Sequence, residues 1–310
     1  MFELTALLGA YYLLSQGFDS TQRWLLDIVR AAPLIYLRDG AMIIAIVLGF
    51  VDVVANRRDA LLSFGLLTFV LVGAVIAGAS GLPVQQVLFG IKVWLPLLLG
   101  VALANEGVAQ KLDRPRLWGL VWTLLVFGVL LNVFVKYPWS GMTMQVGDTQ
   151  VEANREWDTG GFNRVSGFSR TSFDASICIM LLAFYLVLRS ERWLMRGVIW
   201  LLTGVAVVLT TTKGAIGAWL VATPILPLVL GARPELYAHQ RARRTLAFGT
   251  VTALALIAAV TPLVSTQMTW GLLEEGTVEF FLLASFGDRI VNTWPNAFKL
   301  LDAWQYVTGR

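Results

Sequence analysis

Charge is scarce in this chain. Of its 310 residues only 14% are charged, against 57% hydrophobic. The mean hydropathy is +0.69. A soluble domain carries roughly 25% charged residues, so one water-facing core cannot hide this much apolar surface. The composition reads as all-α, a polytopic helical membrane protein. Cysteine is almost missing as well. Cys178 stands alone inside an apolar run, which excludes an internal disulfide and suggests no thiol chemistry. The single His239 sits among arginines in "YAHQRARR", so a histidine metal site has no ligands to build it. No metal or cofactor is expected. The N-terminal "MFELTALLGAYYLL" carries Glu3 and no basic n-region, so it reads as a first membrane helix, not a cleaved signal.

What the chain does have is apolar runs. A spanning helix takes about 20 residues to cross roughly 30 Å of hydrocarbon. Runs of about that size fall at 2–17, 38–55, 61–79, 85–104, 117–136, 172–189, 196–212, 214–231 and 245–265. About nine transmembrane helices are therefore expected, in a single integral membrane domain over 1–310. The run from Val198 to Leu230 would be about 50 Å long as one helix, too long for a bilayer. It must fold back, and "TTTKG" at 210–214 is its one turn-competent break. Lys213 is then at the tip of a helical hairpin.

The short loops set the orientation. Arg57 and Arg58, then Lys111, Arg114 and Arg116, then Arg189, Arg192 and Arg196, then Arg233, Arg241, Arg243 and Arg244 all fall on one side of these spans. The positive-inside rule makes that side cytoplasmic, and the N-terminus with it. The other face holds segment 17–37, the short "ASGLP", the long periplasmic loop 137–171, the tip at Lys213 and a periplasmic segment, 266–310, with short helices.

Cations on that outer face have no topogenic use. Arg164 and Arg170 end the long loop, Lys213 marks the hairpin tip, and Arg289 lies in the tail. Together they suit a multiply charged anion such as a diphosphate, the arginines giving bidentate contacts and the lysine a point charge. A plainer reading stands beside this. Arg164 and Arg170 can pair with Asp148, Glu152, Glu156 or Asp158, and Lys213 can snorkel to headgroups. The aromatics Trp139, Trp157, Phe162 and Phe168 argue that the long loop is packed. Most of the 12 tryptophans read as interfacial belt residues. Lys92, deep in "FGIKVWLPLLLG", needs a cavity or an acid, with Asp52 and Asp174 as candidates.

Three stretches resemble a known family in their order and spacing. They are "NRVSGFSRTSFDASICIMLL", "TTTKGAIGAWL" and "FGDRIVNTWPNAFKLLDAWQYVTGR". The chain resembles the O-antigen ligase and O-antigen polymerase-like family of bacterial inner membranes. In that family an arginine–glycine–phenylalanine stretch opens a helix, a serine/threonine–basic–glycine turn follows, and an arginine–tryptophan–alanine segment comes last. Arg164, Gly167 and Phe168, then Thr212, Lys213 and Gly214, then Arg289, Trp294 and Ala297 occupy those positions. The resemblance covers the chain from about residue 160 to its end.

The resemblance implies a GT-C-like helical glycosyltransferase architecture working on the periplasmic face. It implies an undecaprenyl-diphosphate-linked glycan as donor, with neither nucleotide sugar nor metal. The implied function is a polysaccharide polymerase for O-antigen or exopolysaccharide. O-antigen ligase is the alternative within the family, and a transporter or flippase of an anionic lipid or solute the alternative outside it. A non-catalytic subunit of a polysaccharide export complex is a third. Implied partners are the lipid bilayer, a chain-length regulator and export proteins; no nucleic acid is implied. Arg170, Lys213 and Arg289 are the catalytic candidates, and Arg164, Trp157 and Trp294 the substrate-binding ones. The acceptor hydroxyl needs a base, and Glu156, Asp158, Glu274 and Glu275 stay unranked. Two departures from the family pattern stand out. Lys213 replaces the commoner arginine, and the chain ends at Thr308-Gly309-Arg310, where the family continues through a glycine turn and further helices. Two expectations stay open: a chain lacking the family's C-terminal part, or one in which the remaining catalytic groups are absent. The ligase branch relies on an outer-loop histidine, and His239 falls on the cytoplasmic side, which favours the polymerase.

Overall fold

The computed structural model describes residues 1–56, 60–146, 149–155, 158–159 and 162–230. The expected span 245–265, the tail 266–310, Trp157, Arg289, Trp294 and the base candidates Glu156, Glu274 and Glu275 lie outside them. Two compact units divide the chain, Met1–Val221 and Ala222–Arg310. Of the second, only 222–230 are described, as the end of a helix.

The chain is mostly helical. In order come α1 (Phe2–Gly17), α2 (Asp19–Ile28), a 3-10 turn (Ala32–Tyr36), α3 (Leu37–Asn56), α4 (Ala60–Ala79), α5 (Val84–Leu103), α6 (Glu106–Leu112) and α7 (Pro115–Asn132). A strand segment then precedes α8 (Ser172–Arg189), α9 (Trp193–Leu209) and α10 (Lys213–Leu230). Among the described residues, four stretches are long and apolar enough to cross a membrane: Ala32–Asp52, Val84–Leu103, Pro115–Asn132 and Ser172–Arg189. The other described helices at expected spans have shorter apolar stretches, such as Ser63–Ala79 and Trp193–Leu209.

Apolar side chains cover the outside. Phe134 is 85% exposed and Trp193 80%. Helix α4 shows Phe69, Val72 and Val75 on its surface. In water such faces would drive aggregation, whereas in hydrocarbon they are ordinary contacts. Inside, Tyr12, Met42, Ala45, Leu98 and Leu99 join α1, α3 and α5 in one core. Gly49 of α3 lies so close to α5 that an added Cβ would come within 2.9 Å of the Ala102 Cα. Met180, Val207 and Ala215 tie α8, α9 and α10 together.

Three local details are added or corrected. Segment 17–37, placed on the outer face, is occupied by α2 and the 3-10 turn. The chain is not purely α-helical either. In the long loop, β1 (Thr143–Val146) pairs antiparallel with β2 (Thr149–Glu152), and β3 (Asp158–Thr159) with β4 (Phe162–Asn163). The sequence "TMQVGDTQVE" explains the first pair, since Gly147-Asp148 separates two alternating runs. Third, Lys213 is the first residue of α10 and not the hairpin tip, and Gly214 lies within the helix. Thr211 makes the turn, at φ +52°. Thr210 closes α9 by donating its Oγ1–H to the Val207 carbonyl at 2.7 Å. The Thr212 carbonyl accepts from Ile216 N at 3.0 Å, the first bond of α10.

Candidate functional site

One end of the helix bundle is capped by the 133–171 segment. Its aromatics hold it down. Tyr137 stacks on Trp139 at 4.6 Å between ring centroids, and Phe168 meets Tyr137 at 5.4 Å. Trp24 of α2 packs on Trp139 at 5.8 Å, and Phe18 stacks on Phe168 at 5.7 Å. The Tyr137 hydroxyl donates to the Gly128 carbonyl at 2.9 Å, which anchors the cap to α7. Burial pushes the Tyr137 phenol above its ordinary range.

Beneath the rings lies a buried polar seam. Ser20 Oγ contacts the carbonyls of Ala153 (2.9 Å) and Ser169 (3.0 Å). Asn154 Nδ2 donates to Ser166 Oγ at 2.8 Å, and Ser169 Oγ–H donates to the Gly17 carbonyl at 2.7 Å. Such a satisfied network fixes the cap in one position.

Gly167, from the first of the three stretches, has a structural reason to be glycine. Its φ is +60°, and an added Cβ would sit 2.9 Å from Val129 N. Its N–H donates to Asn132 Oδ1 at 3.0 Å, and its carbonyl accepts from Trp139 Nε1 at 3.2 Å. Gly167→Ala is expected to lose about 2–3 kcal/mol, from the left-handed backbone and the backbone clash together. The check is a lowered unfolding temperature in detergent, with faster proteolysis of the cap.

A chain of charges crosses the same end. Arg23 Nε lies 3.1 Å from Asp19 Oδ2. Arg38 Nη1 lies 2.9 Å from Asp19 Oδ1, close but not aligned as a hydrogen bond. Arg38 Nε is 3.5 Å from Asp39 Oδ1, and Lys92 Nζ of α5 reaches Asp39 Oδ2 at 2.5 Å. The expected partners of Lys92, Asp52 and Asp174, are therefore corrected to Asp39. Asp52 lies 13 residues further along α3 than Asp39, about 20 Å away at 1.5 Å per residue, and accepts from Asn105. Asp174 accepts from Gln16 Nε2 at 3.0 Å and from Thr171 Oγ1 at 2.7 Å. Pro96, one turn after Lys92, has no N–H to give the Lys92 carbonyl.

Arg170 enters this region from the cap. Its carbonyl accepts from Arg155 N at 2.9 Å, and its Nε donates to the Glu152 carbonyl at 3.3 Å. The Glu152 carboxylate is turned to Arg155, at 3.6 Å. Among the described residues no carboxylate lies within 4.0 Å of the Arg170 guanidinium. Burial and then Arg23 lower its pKa, while Asp19 and Asp174 pull the other way. It stays charged regardless, because a guanidinium titrates far above neutrality. The result is a half-buried cation without an ion pair among the described residues.

The sequence-derived candidates are thus divided. Arg164 lines a separate polar cavity of about 400 Å³ with Asn132, Lys136, Ser140 and Ser166. Lys213 opens α10 beyond the α8–α9 hairpin, at the end where Arg170 precedes α8. The turn before it is strained. Thr211 is β-branched in a left-handed conformation, and its Oγ1 is buried with no partner among the described residues. Sequence reasoning missed Asp19, Arg23, Arg38 and Asp39. The i,i+4 spacing of Asp19 and Arg23 on a polar, helix-length segment was the available signal.

These features define a class: a helical membrane protein with a folded cap over a buried, cation-rich cluster. No protein-family model, curated protein or solved structure matches the chain.

Proposed function

We propose that this chain is a polysaccharide polymerase of the inner membrane of a bacterium. It transfers a glycan from an undecaprenyl-diphosphate carrier to an acceptor glycan on the periplasmic face. The reading rests on one observation: the Arg170 guanidinium lies in a partly dehydrated place at the capped end, with no ion pair among the described residues. Breaking the glycosidic bond builds negative charge on the departing diphosphate, and a preorganised cation in a low-dielectric site stabilises it. Lys213 and Arg289 are proposed to share the diphosphate with Arg170. Lys213 brings the N-terminus of α10, whose unpaired N–H groups favour an anion. Arg164, Trp157 and Trp294 are proposed to hold the glycan. The about nine spans, the GT-C-like architecture, the cytoplasmic N-terminus and partnership with chain-length and export proteins belong to the same reading.

One observation favours a second reading. The Lys92–Asp39 pair joins two helices apolar enough to span a membrane, as in a translocation path for an anionic lipid. A single experiment separates the two. Cells lacking the gene are expected to accumulate single repeat units on the lipid carrier at the outer leaflet, accessible to added glycosidase. Units trapped inside would identify a flippase and overturn the polymerase.

A further inference from the structure

At the end of the bundle opposite the cap, α1 and α7 stand apart. Helix α1 packs on α3, α6 and α8, whereas α7 packs on α8 and α9. The gap between them is a groove of about 640 Å³. Ala6, Leu7, Ala10 and Leu14 of α1 form one wall, and Leu117 and Trp118 of α7 the other. Small residues on α1 open the space. Trp118 is held as a fixed wall, because its Nε1–H donates to the Leu112 carbonyl at 2.7 Å. A second, apolar cavity of about 370 Å³ shares Leu112 and Trp118 with the groove and continues inward to Leu125, Cys178 and Leu182.

The ends of the groove differ. Its outer rim carries Glu3, Lys111 and Arg114, and everything below is apolar except the Tyr11 hydroxyl. Lys111 Nζ is 2.9 Å from Glu3 Oε1, so these two largely cancel. The exposed Arg114 then leaves the rim net positive. From Glu3 to Leu14 the α1 wall runs about 16 Å at 1.5 Å per residue. One leaflet is about 15 Å deep, half of the roughly 30 Å hydrocarbon core.

A cationic rim above an apolar trench one leaflet deep has one fitting occupant. We propose that this groove binds an anionic glycerophospholipid, its phosphodiester at Arg114 and Lys111 and one acyl chain between α1 and α7. Charge complementarity favours it over a zwitterionic lipid, since each interfacial cation adds to the attraction for an anionic headgroup. The depth excludes a headgroup alone, because a free phosphate would leave the trench unfilled.

Native mass spectrometry of the full chain, released from nanodiscs of equal phosphatidylglycerol and phosphatidylcholine, tests this. The expected result is retained phosphatidylglycerol in preference to phosphatidylcholine. The Lys111→Gln/Arg114→Gln variant should lose that preference by about tenfold, a size set by the attraction of interfacial cations. Glu3→Gln should increase it, because the opposing acid is gone. Leu7→Trp should lower retention of both lipids by filling the trench without changing charge. These positions are exposed, so folding is spared. Unchanged preference in the double variant would overturn the proposal. So would a photo-crosslinker at Leu7 captured by residues 245–265 of the chain instead of by lipid.

Discussion

Arg170→Ala is expected to reduce polymer formation by about two to three decades while the protein reaches the membrane in normal amount. The size follows from removing one charge-assisted contact made mainly in the transition state, about 2–4 kcal/mol. The position is what makes the contact available. Arg23 and Arg38 already spend their charge on Asp19. Among the described residues Arg170 spends only its Nε, on a backbone carbonyl, and has no ion pair. Thr171 follows it as the N-cap of α8, its Oγ1 accepting from Asp174 N at 3.0 Å, so the backbone beneath Arg170 is pinned. Arg170→Lys is expected to recover part of the activity, because it keeps the charge but loses the planar fork. Polymer is read as a ladder on a gel, and abundance by immunoblot of membranes. A normal ladder from Arg170→Ala would remove the arginine from the site and move attention to Arg164 and its cavity.

The second large effect is structural. Asp19→Ala is expected to destabilise the capped end by about 3–5 kcal/mol. The Asp19 side chain is 3% exposed and lies between the Arg23 and Arg38 guanidiniums, themselves 6% and 11% exposed. Removing it leaves Arg23 without a close acid among the described residues and leaves Arg38 only Asp39. Solvent cannot relieve them at that depth. The asymmetry gives the test its control. Losing one member of a buried charge group is costly, whereas replacing all members by apolar residues is often neutral. The variant combining Asp19→Leu, Arg23→Met and Arg38→Met should therefore unfold in detergent at a higher temperature than Asp19→Ala. If Asp19→Ala melts like the unchanged protein, the cluster contributes nothing to the fold and its charges are free to serve a ligand.

Much of the architecture was legible in the sequence because hydrocarbon imposes a length on helices. A break within 210–214 followed from arithmetic and turn residues: 33 residues of apolar chain cannot cross once. The detail of that break was not legible. Lys213-Gly214 looked like the turn because glycine is the usual left-handed residue, yet Thr211 takes that conformation. The long loop was expected to be packed by its aromatics, and Trp139 and Phe168 do meet in one cluster with Tyr137. The "TMQVGDTQVE" hairpin was visible in principle and was obscured by the weight of the helical pattern.

The sequence by itself determined the membrane class and most helix boundaries, since both depend on local apolar runs and their interruptions. Only the tertiary structure decided which charged and polar groups meet. Lys92 and Asp39 are 53 residues apart, and Gln16 and Asp174 are 158 apart. The reading from sequence put Lys92 with Asp52 or Asp174 and grouped Arg164 with Arg170. In the fold α3 lies on α5 with Asp39 at the level of Lys92, and Arg164 lines a cavity whose wall does not include Arg170. A charge in a low-dielectric interior takes the partner that packing brings within a few ångströms, and helix packing brings together residues that no local pattern connects.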